Sequence, residues 1–212
     1  MTGGQPRPPR RDDGLLEVEA KVALDGPEPV RSALHRLGAA ATPAIVEVDV
    51  FFTHAQRDLP AADEALRLRS LTPHPAAGPG GPGGPGAAAS AARYELTHKG
   101  PRQAGAYKAR EERTVRLADD PTELLAALGF RPTVRLRKTR ERHRLGTLEV
   151  TLDHVEGLGW FAEVEALGAD ARTAEAAVQA ALRELGLDGR PRVSGSYVEL
   201  ALAAGAAAVA RE

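Results

Sequence analysis

Cysteine is absent from all 212 residues, which excludes disulfides and thiolate metal sites and suits a reducing compartment. No apolar run is long enough to make a membrane-spanning helix. The opening MTGGQPRPPRRDDG lacks the apolar stretch of a secretory signal, so the expected location is cytoplasmic. Charge of one sign is missing too: the formal net charge is -1, which gives no overall pull towards nucleic acid. The stretch from Arg131 to Arg144 is locally basic but holds no Phe, Tyr or Trp on which bases could stack. Neither nucleic acid nor membrane is therefore an expected partner. His35, His54, His74, His98, His143 and His154 show no ligand spacing, so imidazole metal binding is not expected. The length suits one domain with a sizeable core.

What the chain does have is a charge pattern of period two. In LLEVEAKVAL, Glu17, Glu19 and Lys21 fall on one side of an extended strand, and Leu16, Val18, Ala20 and Val22 on the other. Such a face is ordinarily just the solvated side of a sheet. Here the spacing recurs as Arg67 and Arg69, as Lys108, Arg110 and Glu112, as Lys138 and Arg140, and as Glu163 and Glu165. Five charged strand faces in one chain point to one charged interior. Glu47 and Asp49 share a face in VEVDV and fit either that interior or an ordinary ion pair. Arg113, Arg116, Arg135, Arg137, Glu141 and Arg142 fall outside the pattern, and most of them are expected on the surface, while Trp160 and Phe161 read as packing residues.

Along the chain, Pro29, Val30, Ala33, Leu34, Leu37 and Gly38 mark a short amphipathic helix after the first strand. AIVEVDVFF, ALRLRSL, RYELTHKG, AYKAREERTVRLA, TVRLRKTRERHRL, TLEVTLDHV and WFAEVEAL read as further strands. A capped helix lies between Asp120 and Gly129, another runs from about Ala171 to Leu185, and SYVELALAAGAAAVA reads as a final helix. Residues 1–13 and 204–212 read as tails around a single domain, 14–203. The Pro/Gly/Ala-rich segment 73–92 cannot bury enough surface to fix a conformation and is expected to be a disordered loop. The fold class is therefore α+β: about eight antiparallel strands in a closed or nearly closed barrel, with helices outside and charge in the lumen.

Burying many ions costs several kcal/mol each, roughly, unless the lumen stays wet or is filled by matching charge. Arg and Lys from several strands suit phosphate oxygens. Clustered carboxylates suit Mg²⁺ or Mn²⁺, which prefer oxygen ligands and bridge to substrate phosphates. The two together describe a metal–phosphate site.

These residues in order resemble the CYTH domain, or triphosphate tunnel metalloenzyme, family, whose members include class IV adenylyl cyclases and thiamine triphosphatases. The likeness spans roughly Leu15 to Leu200. It rests on the ExExK run Glu17, Glu19 and Lys21, the arginine pair Arg67 and Arg69, and the Thr97 to Pro101 element. It rests equally on Arg110 with Glu112, Lys138 with Arg140, the run Asp153 to Glu165, and the closing SYVEL. The resemblance implies an eight-stranded antiparallel β-barrel closed into a tunnel. It implies Lys21, Arg67, Arg69, Lys99, Arg110, Lys138 and Arg140 as the triphosphate-binding set, and Glu17, Glu19, Asp153, Glu163 and Glu165 as ligands of Mg²⁺ or Mn²⁺. Lys21, Glu17 and Glu19 form the expected catalytic set.

One departure bears on the reaction. Hydrolytic members often carry a tyrosine where this chain has Phe51, so a lysine–tyrosine pair that activates water would be incomplete. The favoured expectation is a class IV-type adenylyl cyclase that converts ATP to cyclic AMP and pyrophosphate. A triphosphatase acting on tripolyphosphate, thiamine triphosphate or nucleoside triphosphates is the alternative. A non-catalytic polyphosphate- or nucleotide-binding module is the third, and a homodimer is left open.

Overall fold

The computed structural model describes residues 16–74, 92–102, 110–168, 170–205 and 208–209. The expected tail 1–13 and nearly all of the expected loop 73–92 lie outside the described residues, as does most of the tail 204–212. In chain order the elements are β1 (Leu16–Leu24), α1 (Glu28–Arg36), β2 (Ala40–Ala41), β3 (Ile45–His54), β4 (Ala65–Pro73), β5 (Arg93–Arg102) and β6 (Arg110–Leu117). There follow α2 (Thr122–Ala127), β7 (Phe130–Leu145), β8 (Leu148–Val155), β9 (Gly159–Gly168), α3 (Ala171–Glu184), α4 (Tyr197–Ala203) and β10 (Ala208–Val209).

Eight long strands form one antiparallel sheet in the order β1-β9-β8-β7-β3-β4-β5-β6, and the two-residue strands β2 and β10 pair with β7. Alternation along each strand gives the sheet two unlike faces. On one face Val22, Val150, Leu152 and Val164, none of them solvent-exposed, meet Leu34 of α1 and Val178 and Leu182 of α3. Lesser apolar clusters gather Phe52, Leu59, Leu66 and Leu68 under Leu125 of α2, and Leu136, Val155 and Phe161 against Tyr197 and Ala201 of α4. The opposite face carries the charges, yet many of them are buried, namely Lys21, Glu47, Asp49, Lys138 and Asp153, along with the hydroxyl residues Thr97 and Thr151. Side chains on a flat open face could not shield one another in this way, so the sheet curls around its polar side.

Curling does not become closure. Among the described residues β1 pairs along its length only with β9, and β6 only with β5, so the expected closed barrel is corrected to an open sheet. The chain after α3 supplies the physical reason on the β1 side. Val22 bridges to Arg192, and the Lys21 carbonyl accepts a hydrogen bond from the Val193 amide at 2.9 Å. The middle of the edge that a closing strand would need is already taken. A second irregularity lies in β3, whose register with β7 shifts between Phe51 and Phe52, opposite Pro132. Proline has no amide hydrogen to give the ladder, and the Thr133 hydroxyl donates to the Phe51 carbonyl at 3.1 Å instead.

Candidate active site

The charged side chains on the polar face form one connected ion-pair network across six strands. It begins on β1, where the Lys21 ammonium donates to the Gly195 carbonyl at 3.1 Å and lies 3.2 Å from Glu163 and 3.7 Å from Glu19. Glu163 on β9 accepts at 2.6 Å from Arg140, which also grips Asp153 with two hydrogen bonds. Lys138, two residues back along β7, lies 3.6 Å from Asp153 and 3.1 Å from Glu47 on β3. Arg69 on β4 reaches Glu47 at 3.0 Å and holds Asp49 at 2.6 and 2.8 Å, while Arg67 stands 4.0 Å from Asp49. Arg142 completes the surroundings of Glu47 at 3.1 Å.

The register explains why these partners meet. Directly opposed residues in an antiparallel ladder point to the same side, and Arg140 opposes Asp153, Lys21 opposes Glu163 and Asp49 opposes Arg69. Burial strengthens such pairs by removing water, but makes each ion depend on its partner. Glu47 shows the balance. Burial alone would raise its pKa, yet the charges of Lys138, Arg69, Arg140 and Arg142 outweigh that and bring it down from 4.5 to about 2. Asp153 is lowered against the same burial cost, by its hydrogen bonds to Arg140 and the charge of Lys138. Lys138 moves below the ordinary lysine value because burial and the neighbouring Arg140 both disfavour its charge. Burial and then Arg69 do the same to Arg67, whose buried Nε has no hydrogen-bond partner.

Of the site residues expected from sequence, Lys21, Arg67, Arg69, Lys138, Arg140, Glu19, Asp153 and Glu163 come together in this network. Lys99 lies 2.6 Å from Glu112 between β5 and β6, and the Glu112 charge acts on Arg67. Glu17 and Arg110 lie in strands, opposite Leu167 and Arg102, but their side chains are outside the described residues. Glu165 opposes Glu19 on one side and Glu149 on the other, which puts three carboxylates on one rung of the sheet. Among the described residues no three carboxylates or imidazoles stand close enough to hold a cation as they are. The donor chemistry still fits a hard divalent ion: Glu19, Glu165, Glu163 and Asp153 offer only oxygen, on adjacent strands.

Two acids left undecided by the sequence, Glu47 and Asp49, prove to be buried anchors of the network. Their signal was present in the spacing of EVDV, which matches that of EVEAK. Arg142 was expected on the surface and is instead about half-buried, bound to Glu47. Tyr197 belongs to the closing SYVEL run but was not among the expected site residues. It is 7% exposed, and its ring lies 4.3 Å from the Lys21 ammonium, 5.2 Å from that of Lys138 and edge-on to Phe161. Burial and the charges of Asp153 and Glu163 hold its phenol far above the usual range, so it remains protonated.

Fold and site together define a class: an α+β protein with a curled antiparallel sheet whose inner face interleaves cations with carboxylates. The CYTH domain model matches residues 15–197, and the chain belongs to that family. A Methanocaldococcus jannaschii protein bearing a provisional adenylate cyclase name is 31% identical over 153 residues, 71% of this chain and 77% of the relative. The adenylate cyclase CyaB of Aeromonas hydrophila is 28% identical over 156 residues, 71% of this chain and 69% of its own length. Among solved structures, the PH1819 protein of Pyrococcus horikoshii matches with a TM-score of 0.66 at 28% identity, covering 89% of this chain and 99% of its own.

Proposed function

We propose that this chain is a divalent-metal-dependent enzyme acting on triphosphates, and that its reaction is the adenylyl cyclase one, ATP to cyclic AMP and pyrophosphate. The observation that carries the reading is the network itself. Five of the expected phosphate-binding cations, on three strands, face one concavity and alternate there with carboxylates. Cations so arranged can follow a chain of three phosphates, with Arg140 and Arg69 suited to bidentate contacts and Lys21 and Lys138 acting as point charges. Arg67, whose buried Nε lacks a partner, would gain one from a phosphate oxygen. The family's naming of two relatives as adenylate cyclases supports the choice of reaction.

In that reaction the ribose 3′-oxygen bonds to the α-phosphorus as the bond to the β-phosphate oxygen breaks. Negative charge accumulates on the leaving pyrophosphate, and the cations of β1, β4 and β7 are the groups that would stabilise it, so catalysis is chiefly positioning and electrostatics. Mg²⁺ or Mn²⁺, held by Glu17, Glu19, Asp153, Glu163 and Glu165, would offset the remaining phosphate charge. Phe51 supplies no hydroxyl that could help a lysine activate water.

The test is product analysis. With Mn²⁺ and ATP the chain should release cyclic AMP and pyrophosphate in matching amounts, with little ADP or orthophosphate, and EDTA should abolish turnover. Orthophosphate released from tripolyphosphate much faster than cyclic AMP is made from ATP would replace the cyclase reading with a triphosphatase.

A further inference from the structure

Lysine is scarce in this chain. There are four, Lys21, Lys99, Lys108 and Lys138, against a large excess of arginine, and two of them share one aromatic ring. The Lys21 and Lys138 ammonium groups lie 4.3 and 5.2 Å from the centre of the Tyr197 ring. Both lysines are buried, at 8% and 4% exposure, where like charges repel strongly and little water is present to soften the repulsion. The negative face of an aromatic ring is one of the few uncharged groups that attracts an ammonium there.

The ring is held in place with some care. The Gly195 carbonyl accepts from Lys21 at 3.1 Å, and the residue adopts φ +92°, where an added Cβ would come within 3.0 Å of the Glu199 carboxylate. That carboxylate accepts from the Ser196 amide at 2.6 Å while the Ser196 hydroxyl accepts from the Glu199 amide, a reciprocal cap that starts α4 with Tyr197 as its first residue. Leu136, Val155, Phe161 and Ala201 pack around the ring. The Tyr197 hydroxyl, by contrast, is buried beside the Asp153 carboxylate without a hydrogen bond of ordinary geometry. The two ammonium groups lie over the ring and not beside the hydroxyl, so the ring is the part of Tyr197 that the geometry assigns to the lysines.

We propose that Tyr197 is a positioning residue: its ring face holds Lys21 and Lys138 at fixed places on the polar face, so that the segment from Arg192 to Ala203 completes the site from the far end of the chain. The role as binding determinant rests on the triphosphate reading above; the geometry of the two ammonium groups does not.

Two measurements on the full chain separate these. With ¹³C-labelled lysine, the ε-methylene signals of Lys21 and Lys138, assigned by Lys→Arg substitution, should be displaced by the ring current in the wild type and in Tyr197→Phe. They should return to ordinary positions in Tyr197→Met, which keeps a long apolar side chain of smaller volume and loses the ring. In kinetics with ATP and Mn²⁺, Tyr197→Met should raise KM about tenfold with a much smaller change in kcat, as expected for lost uniform binding of the phosphates. Tyr197→Phe should rescue most of that loss. A Phe variant as impaired as the Met variant would overturn the proposal by assigning the effect to the hydroxyl. So would undisplaced lysine signals in the wild type, a measurement that stands even if the Met variant does not fold. Displaced signals in a chain that turns over no triphosphate would support the geometry while removing the proposed function.

Discussion

Replacing Glu47 by Gln keeps the shape of the side chain and removes one charge from the centre of the network. Glu47 has no solvent exposure, and Arg69, Lys138 and Arg142 lie 3.0 to 3.1 Å from its carboxylate. The drop of its pKa from 4.5 to about 2, at ~1.4 kcal/mol per unit, corresponds to about 3 kcal/mol of stabilisation by ionisation. Losing it leaves three cations without their shared anion, and breaking a buried pair in this way costs roughly 3–5 kcal/mol. For a domain of this size, 1 kcal/mol moves Tm by about 2–4 °C, so calorimetry at neutral pH should show a fall of roughly 6–20 °C. The pH dependence follows from the sign of the shift. A carboxylate with a depressed folded pKa contributes its stability in full above the unfolded value and loses it as pH falls through the folded one. The wild type should therefore lose this contribution between about pH 4.5 and about pH 2, and Glu47→Gln should show a shallower acid limb. Metal-free tripolyphosphate should raise the Tm of the variant more than that of the wild type, because the variant's cations have lost a competitor. An unchanged or higher Tm in Glu47→Gln would refute the view that the network depends on this anion.

Arg140→Lys keeps the charge but cannot reproduce the two-pronged grip on Asp153 together with the contact to Glu163; kcat/KM for ATP should fall by about two orders of magnitude, measured by cyclic AMP formation. Leu152→Ala opens a cavity on the fully buried apolar face under α1 and α3; urea titration should show a loss of about 2–5 kcal/mol with the ion-pair face intact.

Much of the fold was legible because strand alternation writes two faces into the sequence directly. LEVEAKVAL places Val22 in the apolar core and Lys21 in the network, and TLEVTLDHV does the same for Leu152 and Asp153. What alternation cannot state is which strand edge stays open. That is decided where Arg192 and Val193 pair with β1, in a Gly- and Pro-flanked segment with no periodic signal. The final helix was overextended for a related reason. Alanine favours helix locally, but ALAAGAAAVA offers little apolar surface to bury. α4 therefore ends at Ala203, Gly205 follows at φ +63°, and Ala208 and Val209 pair with β7. Tyr197 was invisible as a site residue because its neighbours Lys21 and Lys138 are distant in sequence, and the ring carries no charge to join the pattern.

Spacing also identified the charges without revealing their balance, and the balance changes the chemistry. Sorted by sign, the family resemblance implies seven phosphate-binding cations and invites the picture of a positive tunnel awaiting an anion. In the structure Lys21, Arg69, Lys138, Arg140 and Arg142 each contact a carboxylate, and Glu47 and Asp49, outside the expected ligand set, are two of the principal anions. A triphosphate entering this face must therefore compete with carboxylates already in place, and would leave them with negative charge to neutralise. Divalent cations arriving with the substrate would remove that charge, which makes metal and triphosphate reciprocal partners in binding. Under the proposed function the interleaved acids would do more than ligate metal: they hold the cations in position when no substrate is bound, and they would make the site discriminate against a polyanion that comes without its metal.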